Sequence, residues 1–301
     1  MLECCEICPR DCKVNRKDGK QGYCKCDDKI KIALVSTHYF EEPCISGKNG
    51  SGTIFFSNCN LNCIYCQNYD ISQEGKGKEV SIERLAQIML EQQERGVNNI
   101  NLVTPTMYVY QIIEAIKIAK ANGLKIPIIY NTNSYENVET IKALNGFIDV
   151  YLPDLKYYSD EIAIKYSKAP HYFEVATKAI QEMYNQVGKP VFDENGIIKK
   201  GVVIRHLILP NHTQNSIHIL KWVKENFDDN VLISVMAQYF PTYKAKKDKK
   251  LCRKISTAEY KKVESYMYEI GLNNGYMQDL GKHEEEFVPK FDFKNVWLWQ
   301  M

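Results

Sequence analysis

Three cysteines in the segment Asn58-Cys59-Asn60-Leu61-Asn62-Cys63-Ile64-Tyr65-Cys66-Gln67-Asn68 are spaced C-x3-C-x2-C. Thiolates are soft ligands that select iron–sulfur clusters or zinc, and three this close can wrap one corner of a cubane cluster, one thiolate per iron. Three protein ligands leave a fourth iron open, and an open position is how a metal site keeps room for a substrate or cofactor. The competing readings are a zinc site completed by a distant ligand and three unliganded core cysteines. Asn60 and Asn62 suit a loop rather than a strand interior.

The chain has eleven cysteines, and ten of them precede residue 67. Disulfides would tend to staple the whole chain; cysteines gathered at the front read as one or two metal sites. Cys5, Cys8, Cys12 and Cys24 are spaced C-x2-C-x3-C-x11-C. Four thiolates would close a site, for an auxiliary [4Fe-4S] cluster or a structural zinc. A Cys5/Cys8/Cys24/Cys26 set is one version of the zinc reading, and Cys4 and Cys26 are alternative ligands. Cys44 and Cys252 stand alone and read as ordinary small apolar residues. Lys13, Arg16, Lys17 and Lys20 add positive charge that would steer an acidic electron donor, against the plainer reading of a solvated surface.

The elements that must position the triplet follow from periodicity. From residue 53 a short apolar strand alternates with a polar-ended helix, six times. Strands are expected at 53–57, 99–103, 126–130, 148–152, 202–209 and 231–236. Helices are expected near 81–95, 107–122, 135–145, 159–187 with a break near Pro170, 213–226 and 256–271. Apolar strands alternating with helices predict a parallel sheet with crossover helices, either doubly wound or an incomplete barrel. Residues 190–200 carry an Asn195-Gly196 turn and read as a hairpin insertion. Residues 1–52 read as a Cys-rich extension and connector, 53–275 as the main domain, and 276–301 as a tail that packs on it.

In such architectures sites form from loops at the carboxyl ends of strands, where the triplet lies. The other strand ends agree, with polar residues that a core would not take. Thr104 and Thr106 follow the second strand, and Asn131, Thr132 and Asn133 the third. Asp154 and Lys156 follow the fourth, two apart and so on one face of an extended chain. Arg205 and His206 interrupt the fifth strand, and a buried charge needs a partner. His206 alone reads equally as a satisfied core histidine, and the Thr and Asn residues equally as helix caps. Gln238 and Tyr239 end the sixth strand as weaker candidates.

Composition excludes little but agrees. The 301 residues are 45% hydrophobic and 25% charged, with a formal net charge of +2. Nothing draws the whole molecule to nucleic acid or membrane. The first residues, MLECCEICPRDCK, have no apolar run of the secretory type, so a reducing cytoplasmic location is expected.

The pattern C-x3-C-x2-C with an aromatic before the last cysteine resembles the signature of the radical S-adenosylmethionine (SAM) superfamily. The stretches GSGTIFFSNCNLNCIYCQNYDIS, NLVTPT, YNTNSYE, DVYLPDLKYY, VIRHLILPNHT and SVMAQYFP, and the amino-terminal CEICPRDCKVNRKDGKQGYC, resemble the subgroup similar to pyruvate formate-lyase activating enzyme. The resemblance implies a partial (β/α)6 TIM-like barrel. It implies a [4Fe-4S] cluster on Cys59, Cys63 and Cys66 whose open iron chelates SAM. One electron then yields a 5′-deoxyadenosyl radical that abstracts hydrogen from a substrate. Tyr65 matches the aromatic near the adenine, Gln67 adjoins it, and Asp154-x-Lys156 matches the family's Asp-x-Lys of the SAM site. Thr104 and Thr106 stand where the superfamily usually has a glycine-rich acidic motif, so they are expected replacements in cofactor binding. Asn131, Thr132 and Gln238 complete that set, and Arg205 would pair with the SAM carboxylate. The implied partners are a low-potential electron donor such as flavodoxin or ferredoxin, and a substrate. The substrate is a glycyl-radical protein, for an activase, or a small molecule or peptide. A different class, a non-catalytic iron–sulfur carrier, is disfavoured by the open-coordination triplet.

Overall fold

The computed structural model describes residues 2–280 and 289–296. The first long element is β1 (Ile30–His38), a nine-residue strand inside the stretch expected to be a connector. Its sequence, IKIALVSTH, is an apolar, β-branched run after Asp27-Asp28, which is a strand signal in its own right. A one-turn helix, α1 (Pro43–Ser46), leads into β2 (Ser51–Phe56). Then come α2 (Tyr69–Ser72), β3 (Lys78–Val80), α3 (Ile82–Glu94), β4 (Ile100–Val103), α4 (Val109–Ala121), β5 (Ile128–Thr132), α5 (Val138–Ala143) and β6 (Val150–Pro153). The expected break near Pro170 separates α6 (Asp160–Ser167) from α7 (Tyr172–Val187), with Lys168 and His171 both in the left-handed region. The hairpin of β7 (Val191–Phe192) and β8 (Ile198–Leu207), then α8 (Thr213–Phe227), β9 (Leu232–Met236), α9 (Thr257–Glu269) and β10 (Gly275–Met277) complete the order.

The sheet runs β3-β1-β2-β4-β5-β6-β8-β9-β10, with β7 on β8. Strands β2, β4, β5, β6, β8, β9 and β10 are parallel; β1 and β3 are antiparallel additions at one edge. Among the described residues no pairing joins β3 to β10, so the barrel is partial and open. This is the α/β fold with a mostly parallel sheet that strand–helix alternation predicted.

Helices cover the outer face. In α3 the Ser81 hydroxyl caps the helix by accepting from the Arg84 amide, and Leu85, Ile88 and Met89 point at the sheet, all fully buried. Each such side chain contributes about 1.5–3 kcal/mol by leaving water, so a charge at Met89 would unseat the helix. The inner face is different. α1 drives Cys44 and Ile45 into the lower barrel, where they pack with Ile129, Val150, Leu152, Val203 and Leu232. Two residues further along the same strands the inward positions are Asn131, Asp154, Arg205 and Ser234. An apolar plug therefore closes one end and a polar chamber opens at the other.

The amino-terminal residues form a small knot on the outside of this barrel. Arg16 is fully buried there. Its Nη1 donates to Met107 O at 2.7 Å, and Nε to Asp27 O at 2.7 Å. It is a structural clamp, not the surface cation expected for steering an electron donor. Of the tail, Val296 is buried in the main core and Phe291 stacks edge-on to Phe55. Residues 281–288 and the apolar end from Trp297 onward lie outside the described residues. Among the described residues no helix is long and apolar enough to cross a membrane.

Candidate active site

Two residues after β2 the chain turns at Asn58, at φ +70°. From there the cysteine loop is hung on the end of α6: the amides of Asn62 and Ile64 donate to Ser167 O and Tyr166 O at 3.0 and 2.9 Å. The last carbonyls of a helix lack partners within it, so they are free to accept from a neighbouring loop. Each cysteine sulfur also meets a polar group. Ser167 Oγ donates to Cys63 Sγ at 2.9 Å, Ser72 Oγ lies 3.1 Å from Cys66 Sγ, and Asn133 Nδ2 donates to Cys59 Sγ at 3.4 Å.

Burial pushes all three thiols up, that of Cys63 to about 11 with Lys156 working against the rise. Coordination to a metal removes such a proton outright. Among the described residues no three Cys, His, Asp or Glu side chains gather tightly enough to hold a single ion. A cubane asks for one thiolate per iron, not for convergence on one point. One buried and two half-buried thiols with polar groups set against their sulfurs are the donor set of a sulfur-ligated cluster, and the residues present fit it.

Beside the loop lies a cavity of about 430 Å³, within the usual size of a cofactor site. It brings together Cys63, Tyr65, Cys66, Gln67, Asn131, Asp154, Lys156, Arg205 and Gln238, all named by the sequence. Tyr65 Oη is 2.6 Å from Tyr157 Oη, which is 2.5 Å from Ser167 Oγ, so a hydroxyl chain runs from the cavity wall to the donor on Cys63. Gln238 is fixed by Gln278, whose Nε2 donates to Gln238 Oε1 at 3.0 Å.

The centre of the chamber is ionic. Lys156 Nζ donates to Asp154 Oδ2 at 2.5 Å and Arg205 Nε to Asp154 Oδ1 at 3.0 Å. Burial alone would raise the Asp154 carboxyl, but Lys156 and Arg205 outweigh it and hold it below the ordinary carboxylate range. Arg205 also donates to Glu41 Oε2 at 3.1 Å and Asn131 Oδ1 at 2.7 Å. The protein's own acids thus engage the guanidinium expected to wait for a cofactor carboxylate.

Strand alternation decides which candidates reach the cavity. Asn131 points inward, and Thr132, next to it, points outward. Thr132 and Thr106 donate to Glu136 Oε1 at 2.5 and 2.6 Å, joined by Tyr130 at 3.1 Å. Neither threonine lines the cavity, and their expected place in cofactor binding is corrected. Thr104 is also off the wall, at φ +60°, a value a β-branched residue rarely takes. The left-handed turn that suits glycine is kept here without one. His206 faces outward, between Leu155 O at 2.7 Å and Ser216 Oγ at 2.8 Å: a satisfied core histidine.

Sequence reasoning missed Glu41 and Glu42, which enter the chamber from the β1–α1 turn, and Gln278 after β10. The adjacent acids lie in a stretch without periodicity, and only the strand signal of residues 30–38 could have placed them.

In the amino-terminal knot Cys5 and Cys8 are buried and Cys12 and Cys24 half-buried. Burial pushes the Cys8 thiol up to about 12, with Cys24 close enough to add to the rise. Tyr23 N donates to Cys12 Sγ at 3.3 Å. The knot touches the cysteine loop directly, through Arg10 Nε donating to Asn60 O at 2.9 Å.

Residues 53–223 match the model of the radical SAM superfamily. The chain is 32% identical over 274 residues to Uncharacterized protein MJ0674 of Methanocaldococcus jannaschii, covering 86% of this chain and 72% of that protein. Its fold is similar to that of methylornithine synthase PylB, with TM-score 0.53, 15% identity, and 77% and 72% of the two chains covered. It is also similar to Streptococcus suis SuiB bound to its precursor peptide SuiA, with TM-score 0.50, 16% identity and 74% of this chain covered; the chain spans about half, 47%, of that structure. The chain belongs to the radical SAM superfamily, an enzyme class whose cofactors are a [4Fe-4S] cluster and SAM.

Proposed function

We propose that Cys59, Cys63 and Cys66 hold the cluster and that SAM occupies the adjoining cavity. When bound, the pair supplies one-electron cleavage of the sulfonium to a 5′-deoxyadenosyl radical that abstracts hydrogen from a substrate. The observation that carries this is the opening of Cys63 and Cys66 into the same chamber as the Asp154–Lys156–Arg205 network. Lys156 and Asn131 offer donors to the amino-acid end of SAM, Asp154 offers an acceptor, and Tyr65 an aromatic edge for the base. Arg205 is a positioning residue that fixes Asp154 and Asn131. Thr104 contributes by backbone shape alone.

The substrate is a small molecule or an extended peptide segment. The support is the extra wall that residues 38, 40–43 and 276–278 add to the chamber. Activation of a glycyl-radical protein, favoured by the likeness to activating enzymes, is the second reading. The electron comes from a flavodoxin- or ferredoxin-type donor. Cys5, Cys8, Cys12 and Cys24 are assigned an auxiliary [4Fe-4S] cluster, with zinc as the other outcome.

The test is anaerobic reconstitution with iron and sulfide, reduction with dithionite, addition of SAM and assay for 5′-deoxyadenosine. Product from the wild type and none from the Cys59→Ala/Cys63→Ala/Cys66→Ala variant is the expected result. About four irons per chain retained in that variant would assign the auxiliary cluster. A wild-type chain that takes up zinc and no iron would overturn the reading.

A further inference from the structure

Among the described residues the chamber holds three acids, Glu41, Glu42 and Asp154, and two strong bases, Arg205 and Lys156, and both bases are spoken for. Asp154 takes Arg205 on one oxygen and Lys156 on the other. Glu41 takes Arg205 on Oε2 and Asn101 Nδ2, at 3.1 Å, on Oε1. The third acid, Glu42, has no cation in contact among the described residues. It is 8% exposed, it lines the cavity, and its buried Oε2 has no hydrogen-bond partner. A buried carboxylate oxygen without a donor is costly unless something else supplies one.

We infer that Glu42 receives a positively charged nitrogen of the substrate, an ammonium or guanidinium group, at the wall of the chamber away from the cysteine loop. The order of contacts separates this role from SAM binding. Lys156 is tied to the cysteine loop through Tyr172 Oη, which accepts from Lys156 N at 3.1 Å and donates to Asn133 O at 2.8 Å, with Asn133 Nδ2 on Cys59 Sγ. Asp154 follows it, then Arg205, then the Glu41–Glu42 turn. A cofactor bound on the cluster meets the Lys156 end, and Glu42 stands at the other. Burial pushes its carboxyl up, while Arg205, without touching it, and a hydrogen bond with Ser234 pull the other way. A cationic N–H from the ligand would satisfy Oε2 and hold the carboxyl in its ionised form. The inference deepens the radical reading and rests on it.

Two sources share this chemistry, a free amine and a lysyl side chain in a peptide. Calorimetric titration of the reconstituted, SAM-loaded protein with n-butylammonium, butyrate and the capped peptide acetyl-Gly-Lys-Gly-amide separates them. The wild type is expected to bind the ammonium probes and not butyrate. Glu42→Gln should weaken that binding about tenfold or more, and Glu42→Asp should restore part of it. Tighter binding of the peptide assigns the side-chain source, and tighter binding of butylammonium the free amine. Equal affinities in wild type and Glu42→Gln overturn the inference. So does a Glu42→Gln variant that loses affinity for SAM while still binding the probes. If that variant does not fold, wild-type binding of 1-butanol as tight as butylammonium is the overturning result. Deoxyadenosine formation without any probe reads the radical chemistry separately, so product with no ammonium binding sinks this inference alone.

Discussion

Asp154 is gripped from two sides, by Arg205 Nε at 3.0 Å on one oxygen and by Lys156 Nζ at 2.5 Å on the other. All three side chains are more than four-fifths buried. Removing one partner of such a pair leaves a desolvated charge, which costs far more than the pair contributes. Arg205→Gln strips cation contact from Glu41 and half of it from Asp154, so it should destabilise the fold by about 3–5 kcal/mol. Urea unfolding measures this; a loss below about 1 kcal/mol would show that solvent screens the network.

Ser167 is expected to tune the cluster. Its hydroxyl is the donor on Cys63, and hydrogen bonds to ligating sulfur raise a cluster's potential by stabilising the reduced, more negative state. Ser167→Ala should therefore lower the potential by tens of millivolts, where about 59 mV is one decade for a one-electron couple. A redox titration followed by electron paramagnetic resonance reads the shift. An unchanged or higher potential contradicts the assignment.

Glu136 should write a pH dependence into stability. Burial pushes its carboxyl from an ordinary 4.5 to about 7, against three hydroxyl donors on one oxygen. Between those values the folded chain keeps a proton that the unfolded chain has lost. The contribution to stability is therefore full below pH 4.5 and fades as pH rises through about 7, a loss of about 3 kcal/mol. Glu136→Gln keeps an acceptor for Thr106, Thr132 and Tyr130 but cannot ionise. Its unfolding free energy should lack this fall between pH 5 and pH 8, and urea titrations at the two values decide the matter.

Arg16→Ala should loosen the amino-terminal knot without melting the barrel. The change abandons the buried carbonyl of Met107, at about 1–3 kcal/mol, and the half-buried carbonyl of Asp27 at less. Hydrogen exchange is expected to quicken in residues 2–28 and hold steady in β4 to β6. Uniform quickening would mean that the knot and the barrel unfold together.

The parallel βα repeat was legible because its strands are buried on both faces and its helices on one, so the period itself changes along the chain. The cysteine loop and the nine cavity-lining candidates followed from strand ends. Thr106 and Thr132 were misplaced by treating every polar residue at a strand end as inward. The two-residue period assigns Asn131 and Thr132 to opposite faces, and Arg205 and His206 likewise. Glu41 and Glu42 were invisible for a different reason. They reach the chamber only because β1 pairs antiparallel to β2, a contact between segments that no local pattern announces. Arg16 was read as surface charge because a buried arginine held by carbonyls has no signature in sequence.

The hanging of the cysteine loop on the carboxyl end of α6 has an electrostatic consequence. The aligned peptide dipoles of a helix leave its last turn partially negative, and here the amides on either side of Cys63 sit on that turn. An electron added to the neighbouring iron would arrive against this field. With a cluster held by Cys59, Cys63 and Cys66, the fold itself would thus bias the centre toward its oxidised form and make it a stronger reductant once reduced. The Ser167 hydroxyl at the same helix end works in the other direction. One turn of helix holds both the brake and the release on a single charge.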